Sequence, residues 1–243
     1  MKCESWLAEY EVRIMKRGFP ILAIITALLL SFGLYEALIA APTERTMGDV
    51  QRIFYYHVPS AWTAFLLFLI NFVASVTYLI RRNAKADIVA LVSAEVGVVF
   101  CTVVLVTGPI WARPVWGIWW TWDLRLTLTL VLWLIYVSYL MLRRFSTSSQ
   151  TPVLAAALAI FGALDVPLVY FSIWFFRTQH PSPVIGDGGS LDPRMAHVLL
   201  INWAAFLCLA WLVSWTRYRL EVVQREVEEA QSLESLREGD GRR

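Results

Sequence analysis

Six long apolar runs constrain the fold of this chain more than any other feature of its sequence. They cover residues 20–41, 61–80, 88–107, 126–142, 153–173 and 195–215. Each run is close to the ~20 residues that a helix needs to cross about 30 Å of hydrocarbon. With 58% hydrophobic and only 16% charged residues, the chain is not a soluble globular domain. We therefore predict an all-α integral membrane protein with six transmembrane helices.

The distribution of basic residues predicts how these helices are oriented. Six spans place both termini on one side, and that side carries 15 of the 21 Lys and Arg residues. The positive-inside rule assigns it to the cytoplasm. Three loops, at 42–60, 108–125 and 174–194, then face outward. The net charge of +2 is too small to suggest nucleic acid as a partner.

Two segments flank the membrane region. Residues 1–19 are either a short surface helix or a frayed tail. Residues 216–243 form a charged, helix-favouring cytoplasmic tail, in which Glu221 and Arg225 have the spacing of an i,i+4 ion pair. We predict a membrane domain over 1–215 and this tail over 216–243.

The middle outward loop is rich in tryptophan. Residues 108–127 read GPIWARPVWGIWWTWDLRLT, and their Gly and Pro residues should interrupt regular structure. Trp suits a surface that is partly apolar and partly wet. The segment is either a dedicated binding surface or an interfacial aromatic belt. It holds five of the chain's twelve tryptophans: Trp111, Trp116, Trp119, Trp120 and Trp122.

All three histidines lie in or beside the outward loops. His57 is on the apolar face of a helix that we expect to end at Val58, because Pro59 disfavours helical geometry in the residue before it. His180 is in the third outward loop, and His197 opens the last span. Each is either an interfacial or core histidine or a metal ligand.

Histidines on both sides of a Trp-rich segment suggest a planar, apolar ligand that contains a metal, and haem is the obvious candidate. Its iron takes two axial ligands, for which imidazole is common. Its anionic propionates favour arginine partners, and Arg113, Arg125 and Arg177 lie in the same loops. Asp123 precedes the fourth apolar run, where it either caps the helix or pairs with Arg125.

Other functions remain open at this stage. A quinone protein or a protein acting on lipid-linked sugars could use the same outer face, and a scaffold for a transporter is a third possibility. A quinone protein would be expected to carry or adjoin a redox centre, and the sequence shows no ligand set for one besides the candidate haem ligands. A protein acting on lipid-linked sugars would need outward carboxylates as bases or metal ligands, and those of the outer loops lack metal-ligand spacing. Glu36, Glu95 and Asp165 lie inside the spans and are functional candidates or partners of nearby arginines.

Three blocks resemble the haem-handling membrane proteins of cytochrome c maturation. WGIWWTWDLRLT at 116–127 resembles their tryptophan-rich (WWD) signature. RIFYYHVPSAW at 52–62 resembles the segment that carries their first outer histidine, and VYFSIWFFRTQH at 169–180 the segment that leads to the second. Length, six spans and block order fit best with the haem exporter protein C (CcmC) family.

This resemblance implies a function and a site. His57 and His180 would be the axial ligands of a non-covalent b-type haem carried as cargo, although His197 leaves the second ligand open. The resemblance implies delivery to the periplasmic haem chaperone CcmE, with CcmD and the ABC transporter of CcmA and CcmB as partners. The protein would be a transfer protein of the bacterial inner membrane and not an enzyme. The resemblance further implies that the Trp-rich loop holds the edge of the haem. Together with the arginines chosen for their charge, the predicted haem contacts are Trp111, Trp116, Trp119, Trp120, Trp122, Asp123, Arg125, Arg113 and Arg177.

Overall fold

The computed structural model describes residues 2–176, 180 and 191–240, and no β-strand occurs in this part of the chain. Six stretches are long and apolar enough to cross a membrane, which confirms the predicted all-α membrane fold. The helices are α1 (Lys2–Tyr35), α2 (Phe54–Arg81), α3 (Ala84–Trp116), α4 (Leu124–Phe145), α5 (Thr151–Phe175) and α6 (Pro193–Asp240). A π-helical turn at Glu36–Ala40 and a short 3₁₀-helix at Asp49–Ile53 lie between α1 and α2.

Helices α2 and α3 form the central pair of the bundle. Helix α2 also packs against α5 and α6, α4 packs on α3 and α5, and α1 packs on α6. Gly97 lets α3 approach α2 closely, because a Cβ there would lie 2.7 Å from the Phe68 ring. Phe68 in turn stacks on Tyr136 of α4, with ring centroids 3.8 Å apart.

A buried ion-pair cluster ties three helices together at the end of the bundle that holds the α2–α3 turn. Asp87 of α3 is only 4% exposed. It binds Arg143 of α4 at 2.6 Å and Arg225 of α6 at 2.8 Å. Arg225 also pairs with Glu221 at 3.0 Å, which confirms the predicted i,i+4 pair. Helix α6 runs without a break through residue 215, so the domain boundary there stays a prediction.

The predicted end of a helix at Val58 is wrong. Helix α2 begins at Phe54 and continues through Pro59, which is fully buried. Pro59 is the sixth residue of α2, so its missing N–H removes one hydrogen bond of the helix. The helix is supported by its buried face, since most helical stability in proteins comes from tertiary packing.

Helix α3 also extends beyond its predicted end at residue 107. The helix continues through Pro109 and Pro114 to Trp116. Trp111 and Trp116 therefore lie on a membrane-spanning helix. The prediction that they belong to an outward loop is wrong. The Trp loop proper consists of residues 117–123.

Arg52 connects the first outward segment to the π-helical turn that follows α1. Its Nη1 donates to the Ala37 carbonyl at 2.7 Å and its Nη2 to the Ala41 carbonyl at 3.4 Å. A cation at a helix C-terminus satisfies carbonyls that have no partner within the helix. At its other end, α1 begins at Lys2, so residues 2–19 belong to the same continuous helix as the first span.

Candidate functional site

Two adjoining cavities lie at the end of the bundle opposite the ion-pair cluster, which we call the site end. The Trp cavity has Trp111, Trp116 and Trp120 in its wall. The wide cavity has a volume of about 750 Å³, within the range of about 300–1,000 Å³ usual for cofactor and small-molecule sites. His57 and His180 line both cavities.

His57 is the fourth residue of α2 and is held from α3. Its side chain is buried, and the residue is 7% exposed. Its Nδ1 lies 2.8 Å from the hydroxyl oxygen of Thr107. The indole of Trp111 meets the imidazole edge-on, with ring centroids 5.9 Å apart. The ring is therefore held at a defined position in the cavity wall.

His180 faces His57. The two ring centroids are 6.4 Å apart, and the ring planes are tilted by 34°. His197, by contrast, is an exposed residue of α6 and is not among the residues that line either cavity. The structure thus brings His57 together with His180 and not with His197. Arg177, the third predicted arginine, lies outside the described residues.

The structure divides the five tryptophans into two groups. Trp111, Trp116 and Trp120 line the Trp cavity. Trp119 is 58% exposed and Trp122 is 76% exposed, and neither is among the described residues that line the Trp cavity or the wide cavity. Trp122 packs edge-on against Trp120, with ring centroids 5.7 Å apart. The binding-surface interpretation therefore fits three of the rings, and the other two form an exposed rim.

Arg125 and Asp123 fix the start of α4 beside the cavities. The Asp123 carboxylate accepts a hydrogen bond from the Leu126 N–H at 3.0 Å, which confirms the predicted N-cap. The Thr121 hydroxyl donates to the other carboxylate oxygen at 3.2 Å. Arg125 lines both cavities. Arg113 instead donates to the Gly117 carbonyl at the end of α3.

Three buried donors of cavity-lining residues have no hydrogen-bond partner within the part of the chain that the structure describes. They are Nη1 of Arg125 and the indole Nε1 atoms of Trp111 and Trp120. A buried donor without a partner is costly. Such donors in a cavity wall are suited to a ligand that carries anionic or polar groups.

The sequence interpretation missed the polar side of the wide cavity. Arg45 and Arg194 line it, together with Glu44 and Asp192. The Met47 N–H donates to the Glu44 carboxylate and holds its pKa below the ordinary value. The Arg194 side chain likewise lowers the pKa of Asp192. Both carboxylates therefore remain charged at neutral pH. Only their position in outward loops could have indicated these residues.

The fold and the cavities define a six-span membrane protein with two adjoining cavities at one end, where two imidazoles face each other beside tryptophans and an arginine. The model of the family described as "Heme exporter protein C" (CcmC) matches residues 6–233. The chain belongs to this family, as the three sequence blocks predicted.

Individual relatives agree with this assignment. A protein of Bradyrhizobium diazoefficiens named "Heme exporter protein C" is 35% identical over 224 residues, which are 91% of this chain and 85% of the relative. A Haemophilus influenzae protein of the same name is 30% identical over 230 residues, which are 91% of this chain and 94% of the relative. A Marchantia polymorpha protein, named as a putative cytochrome c biosynthesis ccmC-like mitochondrial protein, is 31% identical over 182 residues, covering 74% and 78%.

Proposed function

We propose that this protein binds haem at the outer face of the bacterial cytoplasmic membrane and passes it on for the maturation of c-type cytochromes. His57 and His180 are the axial ligands. The observation that carries this proposal is the 6.4 Å separation of the two facing imidazoles. Family membership supports haem as the cargo, because the relatives carry that ligand in their names.

The separation of the histidines suits two ligands of one iron. A bond between a metal and an imidazole nitrogen is about 2 Å long, and the ring centre lies about 1 Å behind that nitrogen, so two imidazoles on opposite sides of one metal have centres about 6 Å apart. The observed distance is close to this value. The distance between the two ring centres would therefore need to change little for both rings to bind one iron.

The rest of the cavity wall matches the other parts of haem. Trp111, Trp116 and Trp120 offer flat apolar surfaces for a macrocycle. The Arg125 guanidinium, with its unpartnered Nη1, is suited to a propionate. We assign the propionate to Arg125 rather than to Arg113, since the Arg113 side chain is engaged with the Gly117 carbonyl.

Delivery requires that part of the bound haem can be reached by another protein. The exposed rings of Trp119 and Trp122 lie next to the cavity wall, and we propose that the periplasmic haem chaperone CcmE docks there. CcmD and the CcmA–CcmB transporter are the further partners that we propose from the family. The charge distribution supports an outward site end, with both termini in the cytoplasm.

The absorption spectrum of the purified protein tests the proposed function. The wild-type protein is expected to show a strong Soret band after purification with haem. His57→Ala and His180→Ala should each weaken haem retention and shift the spectrum, and the double variant should lose the band. A band lost in the His57→Ala/His197→Ala variant but kept in the His57→Ala/His180→Ala variant would assign the second ligand to His197. The absence of any haem from the wild-type protein would overturn the proposal.

A further inference from the structure

We infer that Thr107 is a positioning residue that selects the tautomer of His57, so that Nε2 is the nitrogen available to a metal. This inference rests on the proposed function for its consequence, because the metal in question is the haem iron. Its structural basis is a hydrogen-bond chain between α3 and α2 that no sequence motif indicated.

The direction of the hydrogen bond follows from the second contact of the hydroxyl. The Thr107 hydroxyl oxygen lies 2.6 Å from the Val103 carbonyl oxygen and 3.4 Å from that of Val104. A carbonyl only accepts, and a hydroxyl has a single proton to donate. That proton is used within α3. Towards Nδ1 of His57, at 2.8 Å, the hydroxyl can therefore only accept.

An accepting hydroxyl requires that Nδ1 carries a proton. A neutral imidazole has one N–H, so its Nε2 then holds the lone pair that binds metals. A second proton would place a charge on a buried ring, which is unfavourable. Histidines that bind metals commonly donate their other N–H to an acceptor that fixes the ring and raises its basicity. Thr107 is in the position of such an acceptor.

Helix α3 contains a matched control for this contact. The Thr102 hydroxyl donates to the Val98 carbonyl at 2.7 Å and accepts from the Trp133 indole N–H at 2.8 Å. Thr102 thus makes the same two contacts, but its aromatic partner is on α4 and it does not line either cavity. Replacing it removes an equivalent buried hydrogen bond without touching His57.

The first experiment compares full-length variants in lipid nanodiscs by haem titration and by the midpoint potential of the bound haem. Thr107→Val should weaken haem affinity about 10–100-fold, as loss of such an acceptor does at other metal sites. It should also raise the midpoint potential, because a less basic imidazole stabilises ferric iron less. Thr107→Ser should restore both values, and Thr102→Val should leave both near wild type.

The second experiment reads the tautomer without haem. In haem-free protein labelled with ¹⁵N-histidine, the His57 signals are those that disappear in His57→Ala. We expect a protonated Nδ1 and an unprotonated Nε2 in the wild type, and a population with protonated Nε2 in Thr107→Val. A protonated Nε2 in the wild type, or equal effects of Thr107→Val and Thr102→Val on haem affinity, would overturn the inference. Failure of the wild type to bind haem would instead overturn the proposed function.

Discussion

At the scale of single residues, two adjacent tryptophans differ in what they can do. Trp120 lines the Trp cavity, and its indole nitrogen is buried. Trp119 is 58% exposed. The two residues have the same chemistry and lie in the same loop. A difference in haem release between variants of these two residues therefore reports contact with the cavity and not the general properties of tryptophan.

We predict that Trp120→Ala loses haem faster than Trp119→Ala. A favourable aromatic contact contributes about 0.5–1.5 kcal/mol beyond the area that it buries, which corresponds to roughly 2–10-fold. The measurement is the rate of haem release to a soluble haem-binding acceptor protein. Trp119→Ala serves as the control and should stay near the wild-type rate. Equal rates in the two variants would support the aromatic-belt interpretation.

At the scale of secondary structure, the Trp loop is defined by how the two flanking helices end and begin. Gly117 ends α3 in a left-handed conformation with φ of 78°, which residues with a side chain rarely adopt. Asp123 caps the first turn of α4. These two local features set the direction of the loop that carries Trp119, Trp120 and Trp122.

We predict that Asp123→Ala loosens the Trp loop while both histidines still bind haem. Loss of an N-cap typically costs about 1 kcal/mol. The haem spectrum should stay close to wild type, whereas co-purification of the proposed partner CcmE, and of haem bound to it, should fall.

Asn83→Ala is the matched control for this variant. Asn83 caps α3 by accepting from the Lys85 N–H at 2.9 Å, at the end of the bundle far from the cavities. The Asn83→Ala variant should leave the co-purification of CcmE and of haem bound to it unchanged. Normal loading by the Asp123→Ala protein would show that the cap has no part in docking.

At the scale of the whole molecule, the two ends of the bundle differ in structure. One end holds the ion pairs of Asp87 with Arg143 and Arg225, which join α3, α4 and α6. The site end holds the cavities and the Trp loop. Removing one partner of a buried ion pair strongly destabilises a folded protein, because the other charge is left buried and unpaired. The cluster therefore fixes the relative positions of helices whose opposite ends form the site.

We predict that the site end faces the periplasm, because most basic residues lie on the same side of the membrane as the two termini. The test labels single cysteines with a membrane-impermeant maleimide, in a background in which Cys3, Cys101 and Cys208 are replaced by alanine. Ile118→Cys should be labelled in spheroplasts. Thr147→Cys, in the α4–α5 connection, should react only after permeabilisation. The opposite pattern would reverse the orientation and rule out delivery to a periplasmic chaperone.

Local features of this protein could be predicted from its sequence. The number of spans follows from hydropathy, since a stretch of ~20 apolar residues is sufficient to indicate a membrane helix. The Asp123 cap and the Glu221–Arg225 pair depend on groups at most four residues apart. The histidines and tryptophans could be recognised as candidates because their residue types suit haem. Each of these features depends on the chemistry of one short segment.

Only the tertiary structure decided which candidates meet. Helix α2 continues through Pro59 and α3 through Pro114, although the local preference of proline argues against both. Thr107 contacts His57 from a position 50 residues away in the chain, a contact that no local pattern shows. Whether His180 or His197 lies beside His57, and whether Arg125 or Arg113 lines the cavities, also depends on where separate helices come together. Such contacts are set by the packing of whole helix faces, and sequence spacing does not contain that information.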